Sequence, residues 1–145
     1  MEIINQLVTI YNTLDSDRAL TDLEAKRYYS QMLAHGRLHL YTDRGYVIGL
    51  IESWRLDYEQ LGRVICWHEF NALEEDVTVG PVAYISDIWV RPESRGTGKT
   101  KILIEMFKQA NSDAEYYVSH RANHKVKYYR VYDKCTGYKH KLKET

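Results

Sequence analysis

The stretch Ile85-Ser86-Asp87-Ile88-Trp89-Val90-Arg91-Pro92-Glu93-Ser94-Arg95-Gly96-Thr97-Gly98-Lys99-Thr100 decides how this chain folds. Its first half belongs to an apolar, β-branched and aromatic run, Val82 to Arg91, that reads as a buried strand. Its second half is a turn with two glycines, after which a helix is predicted from Gly98 to Ala110 with Ile102, Leu103, Met106, Phe107 and Ala110 inward. Glycine lets backbone amides approach a ligand with no side chain in the way, and the first turn of a helix adds N–H groups and the positive end of its dipole. Such a place binds phosphate.

Upstream, Ile3, Ile4, Leu7, Val8, Tyr11 and Leu14 fall at helical spacing, which predicts a helix over about Ile3 to Leu14. Thr21-Asp22-Leu23-Glu24 has the form of a capping box, Ala25, Tyr28, Tyr29, Met32 and Leu33 repeat on one face behind it, and Gly36 suits a left-handed stop. From Arg37 the period changes to two, and Asp43-Arg44-Gly45 supplies a reversal into Tyr46 to Leu56, so a hairpin is expected. Residues 57–80 stay unassigned: Val64-Ile65-Cys66-Trp67 looks strand-like, and Asn71 to Asp76 looks like an acidic turn or short helix. Downstream, Glu115 to His120 reads as a strand, Lys125 to Thr136 as a helix, and a short strand follows Gly137. The order is α+β, with a strand–helix–strand crossover around Gly98 expected to be right-handed.

A length of 145 residues suits one domain, and 44% apolar with 28% charged residues is the profile of a folded globule. No apolar run is long enough to cross a bilayer and the N-terminus lacks a signal-peptide pattern, so a cytoplasmic protein without membrane partners is expected. Cys66 and Cys135 stand outside any Cys-x-x-Cys pattern, which suggests neither zinc nor a disulfide. Net charge is zero, yet residues 1–90 carry seven Lys/Arg against fourteen Asp/Glu, and 119–145 carry eight against two. The balanced total argues against bulk nucleic-acid binding, and the basic face from Arg121 to Lys143 reads as a solvated surface.

Two phosphate-binding patterns compete for the glycine turn. Gly96-Thr97-Gly98-Lys99-Thr100 matches the end of a Walker A loop, but that loop needs glycine where Glu93 stands, which ranks a nucleotide binder behind the alternatives. The stretch more closely resembles the central motif of the GNAT (GCN5-related N-acetyltransferase) superfamily, a strand with an apolar-x-Val-x-Pro ending followed by Arg/Gln-x-x-Gly-x-Gly/Ala. Ile88, Val90 and Pro92 stand for the strand and Arg95, Gly98 and Thr100 for the loop, Thr100 departing from the small residue usual there. Asn123, Tyr128 to Tyr132 and Gly137-Tyr138 are similar to the family's C-terminal Asn, Tyr-bearing helix and Gly-Phe, with Tyr132 one residue off the usual spacing. Members commonly begin with a strand, where Ile3 to Leu14 reads as helix.

The resemblance implies a mixed, mostly antiparallel central sheet flanked by helices, with a splayed parallel strand pair at the CoA site. It implies acetyl-CoA as co-substrate, without metal, and transfer of its acetyl group to a primary amine on a small molecule or protein. The amides of Arg95, Gly96, Thr97, Gly98, Lys99 and Thr100 would hold the CoA pyrophosphate, with the pantetheine along Ile88, Trp89 and Val90 and Asn123 nearby. Transfer needs a neutral amine, an oxyanion donor and a proton for the departing thiolate. Tyr132 is the first choice as proton donor and Tyr129 the second, although Tyr132 shares a helical face with Tyr128, Val131 and Cys135 and reads equally as a core residue. Glu52, Asp87, Glu69 and His68 are candidate bases, each alone more often structural; His120 reads as a strand-end polar residue.

Glu69, Glu74, Glu75 and Asp76 could draw in a cationic amine, or form a solvated loop with no function. Thirteen tyrosines suit interfaces as well as cores, which leaves a homodimer open. Beside the acetyltransferase stands a second hypothesis, a GNAT-fold binding or virion-type structural module without catalysis.

Overall fold

The computed structural model describes residues 2–13, 20–67, 80–123, 126–133 and 139–143. The elements are α1 (Ile3–Thr13), α2 (Asp22–Ala34), β1 (Leu38–Asp43), β2 (Tyr46–Leu56), α3 (Tyr58–Trp67), β3 (Val82–Val90), a 3-10 turn (Pro92–Ser94), α4 (Lys99–Ala110), β4 (Tyr116–Asn123), β5 (Val126–Asp133) and β6 (Lys139–Lys143). The strands lie in one sheet in the order β1-β2-β3-β4-β5-β6. β1/β2, β4/β5 and β5/β6 are antiparallel, whereas β3/β4 is parallel. The chain forms two compact units, residues 1–52 with 88–107, and residues 53–87 with 108–145.

In the first unit, α1 turns Leu7, Ile10 and Tyr11 inward. Gln6 is buried with them because its amide closes the hairpin: Nε2 donates to Gly45 O at 2.7 Å, and Oε1 accepts from Val47 N at 2.8 Å. α2 starts at the expected capping box, with Glu24 N donating to Thr21 Oγ1 and Thr21 N to Glu24 Oε1. It stops in a Schellman motif, Arg37 N to Met32 O and Gly36 N to Leu33 O, made possible by Gly36 at φ 67°. Arg44 at φ 52° and Gly45 at φ 81° form the hairpin turn, the doubly left-handed geometry that matches strand twist. A register shift opposite Tyr41 and Thr42 leaves Ile48 as an extra residue on β2.

α4 buries Leu103 and Phe107, but Ile102 and Ala110, expected inward, lie exposed. The apolar stripe is therefore narrower than the five-residue face read from the sequence. Gly49 of β2 sits where a Cβ would fall 2.7 Å from Leu103 Cδ1 and 3.1 Å from Trp89 O, so glycine permits close packing there.

In the second unit, α3 resolves the segment that the sequence left unassigned. Gln60 N donates to Asp57 Oδ1 at 2.7 Å while Asp57 N donates to Gln60 Oε1 at 2.9 Å, a reciprocal cap that starts a helix. Val64 to Trp67 thus end a helix instead of forming a strand: once a capped helix is running, β-propensity alone does not stop it. Asn71 to Asp76 lie outside the described residues.

Val82 to Ile85 are all buried, as expected of a central strand, and pair with Tyr116 to Ser119. Both strands continue past this four-residue ladder. The helix expected over Lys125 to Thr136 is absent from its described part: β5 is a strand, paired along its whole length from Tyr116↔Asp133 to Asn123↔Val126. Five of its eight residues are Val or Tyr, types that fit a pleated surface, and this composition outweighs the helical spacing of 128, 131, 132 and 135. β6 follows Gly137 as expected.

Candidate functional site

The glycine turn lies in the first unit, between β3 and α4. Arg91 N donates to Ile48 O at 2.7 Å, and Ser94 N and Arg95 N close the 3-10 turn on Arg91 O and Pro92 O. Gly96 at φ 79° and Gly98 at φ 83° then carry the backbone through conformations disfavoured for residues with a Cβ. Arg95 Nε donates to Val90 O at 3.0 Å, and Thr97 Oγ1 donates to Ser94 O, which hold the turn against the end of β3.

Among the described residues, no protein acceptor takes the amides of Gly96, Thr97, Gly98, Lys99, Thr100 or Lys101; the first helical bond inward is Ile102 N to Gly98 O. Arg95, expected to offer its amide as well, spends it on Pro92 O at 3.3 Å. A Cβ built on Gly96 or Gly98 would meet nothing within 4 Å, so space stands open over both glycines. A row of unclaimed amides at the start of a 12-residue helix, with open space over its two glycines, can hold a diphosphate. The turn therefore offers a seat for a diphosphate.

Lys99 Nζ lies 5.1 Å from the ring centroid of Tyr41, a cation–π contact. Ile88 is exposed, Trp89 half-buried and Val90 buried against the Gly49 side of β2. Of the candidate bases, Glu52 is 2% exposed and its Oε1 accepts from Tyr28 Oη at 2.7 Å, while Asp87 is half-buried. His68 and Glu69 lie outside the described residues, as do Glu74, Glu75 and Asp76. Tyr132 and Tyr129 stand on β5, opposite Tyr117 and His120 of β4, and Asn123 ends β4 opposite Val126. The helical face that linked Tyr132 with Val131 and Cys135 does not exist on a strand.

Sequence reasoning missed Arg91 and Tyr28. Arg91 donates through Nε and Nη2 to Val47 O at 3.3 and 2.8 Å and lies 5.8 Å from the Trp89 ring centroid. No spacing rule signals either residue, because both partners come from distant segments. Among the described residues no cluster of His, Cys, Asp or Glu could hold a metal, and no helix is long and apolar enough to cross a membrane.

No family model and no curated protein matches the chain. Solved structures do. The loading GNATL domain of CurA from Lyngbya majuscula superposes with a TM-score of 0.61 at 18% identity, over 81% of this chain and 59% of that one. The GphF GNAT-like decarboxylase in complex with isobutyryl-CoA gives 0.62 at 14% identity, over 83% and 63%. The aminoglycoside 6'-N-acetyltransferase AAC(6')-IG from Acinetobacter haemolyticus gives 0.57 at 17% identity, over 84% and 75%. The chain thus spans less than two thirds of the first two. Its α+β architecture, a mixed sheet with a parallel β3/β4 pair and flanking helices, is the GNAT fold, one shared with acetyltransferases.

Proposed function

We propose that this chain binds acetyl-CoA and transfers its acetyl group directly to a primary amine of a small molecule or protein. The observation that supports this most is the run of unclaimed amides from Gly96 to Lys101 behind two left-handed glycines. A GNAT-like neighbour in complex with isobutyryl-CoA adds that the fold can hold an acyl-CoA. Bound there, the coenzyme supplies an activated thioester. The amine nitrogen forms the new bond to the acyl carbon as the carbon–sulfur bond breaks, and the thiolate leaves with a proton.

Of the carboxylates, Asp87 is favoured over Glu52 as the group that takes the amine proton. Solvent reaches Asp87, whereas Glu52 is buried. Tyr132, with Tyr129 as second choice, is proposed to protonate the thiolate. Tyr132→Phe is then expected to slow transfer and spare coenzyme binding, and unchanged turnover removes Tyr132 from the role. Cytoplasmic residence is proposed with this activity.

A second reading, a coenzyme-binding module without transfer, is favoured by β5 standing where the family resemblance calls for a Tyr-bearing helix. Acetyl-CoA turnover across an amine panel separates the two. CoA binding without turnover selects the second, and a nucleotide binder, the third reading, is selected if ATP with magnesium stabilises the chain while CoA does not.

A further inference from the structure

We propose that the cavity of about 440 Å³ walled by α1 and the end of β3 is a second binding site, for a small planar anion with an aromatic body. The cavity lies within the first unit, and the proposal rests on its own lining and not on the coenzyme reading. Its volume falls in the range of small-molecule sites, and its body is apolar: Ile10, the ring of Tyr46, Trp89 and Pro92. The charge is of one sign. Arg91 and Arg95 line it and no carboxylate does.

Both guanidinium groups are held in place before any ligand arrives. Arg91 is fixed by its two bonds to Val47 O beside the Trp89 ring, and Arg95 by the bond from Nε to Val90 O. The two terminal amino groups of Arg95 meet no acceptor among the described residues. A guanidinium presents its N–H groups in a planar fork that matches a carboxylate. The Gln6 amide, which also lines the cavity, has its oxygen and one donor committed to the hairpin at Val47 and Gly45, so recognition falls chiefly to the cations. Glu93 Oε1 lies 4.0 Å from Arg91 Nη1, on an exposed side chain outside the lining. The wall itself thus keeps two fixed cations, which disfavour an amine and separate this cavity from the acceptor seat of the proposed transfer.

The test is calorimetric titration of the whole chain with 2-naphthoate and with uncharged 2-naphthamide, repeated on Thr9→Trp, where an exposed α1 residue at the cavity wall becomes bulky. The expected result is saturable one-to-one binding of naphthoate, roughly tenfold weaker or absent binding of the amide, and loss of naphthoate binding in Thr9→Trp with CoA affinity kept within about twofold. Tyr46→Ala, at a position 58% exposed, serves as a second variant should Thr9→Trp fail to fold, and is expected to weaken naphthoate several-fold. No saturable binding, or equal affinity for acid and amide, overturns the proposal. So does Thr9→Trp weakening CoA as much as naphthoate, since the cavity would then belong to the coenzyme's seat. If the wild-type chain binds naphthoate and not CoA, the cavity stands and the coenzyme reading alone falls.

Discussion

The hydroxyl of Tyr28 on α2 donates to Oε1 of Glu52 on β2 at 2.7 Å, both side chains shielded from water. A buried carboxylate deprived of a donor bears its own desolvation, so Tyr28→Phe is expected to lower the unfolding free energy by about 1–3 kcal/mol. Urea denaturation measures it. A variant as stable as the wild type would show that the bond contributes nothing net.

Gly80 and Gly49 tolerate a methyl group differently. A Cβ on Gly80 would fall 2.0 Å from the backbone oxygen of Leu56, which cannot step aside, whereas Gly49 first meets the flexible tip of Leu103 at 2.7 Å. Gly80→Ala should therefore destabilise by about 3 kcal/mol and Gly49→Ala by about 1 kcal/mol. The reverse order in thermal denaturation would contradict the packing described.

Gly98 separates strain from ligand exclusion. Its φ of 83° makes alanine unfavourable by about 1–2 kcal/mol, yet the Cβ enters open space, so Gly98→Ala should keep coenzyme affinity within a few-fold. Gly98→Glu sets a negative charge where the diphosphate is proposed to sit and should abolish binding. Equal affinities for the two variants, read by calorimetry, would place the diphosphate elsewhere.

Burial lowers the pKa of His39, whose ring packs edge-on against Phe107 at 6.0 Å between centroids. The folded chain thus holds His39 neutral in a range where the unfolded chain protonates it. Its effect is absent above about pH 6.5, and stability falls as pH drops from there toward the lowered folded value. A melting-temperature series should show a shallower acid-side decline in His39→Phe than in the wild type. Parallel curves would exclude His39 as a source of the slope.

What the sequence made legible was whatever local chemistry dictates. The Thr21–Glu24 box, the left-handed stop at Gly36, the Asp43-Arg44-Gly45 reversal and the strand–turn–helix around Gly98 all emerged as expected, because each is decided by neighbours within a few residues. α3 was equally local, since Asp57 and Gln60 form a cap that a Ser/Thr template overlooks. β5 was a different case: its tyrosines satisfy a helical period, and only pairing with β4 and β6 decides for a strand. The site split the same way. Glycine turns announce themselves, whereas Tyr28 with Glu52 and Arg91 with Val47 join residues more than twenty positions apart.

The most direct measurement follows the backbone amide resonances of the ¹⁵N-labelled chain during titration with CoA. Large shifts at Gly96 through Lys101, saturating at one equivalent, are the predicted result. Were those six amides to stay unmoved at saturating CoA, or to answer ATP with magnesium instead, the claim that this turn grips the coenzyme would be contradicted.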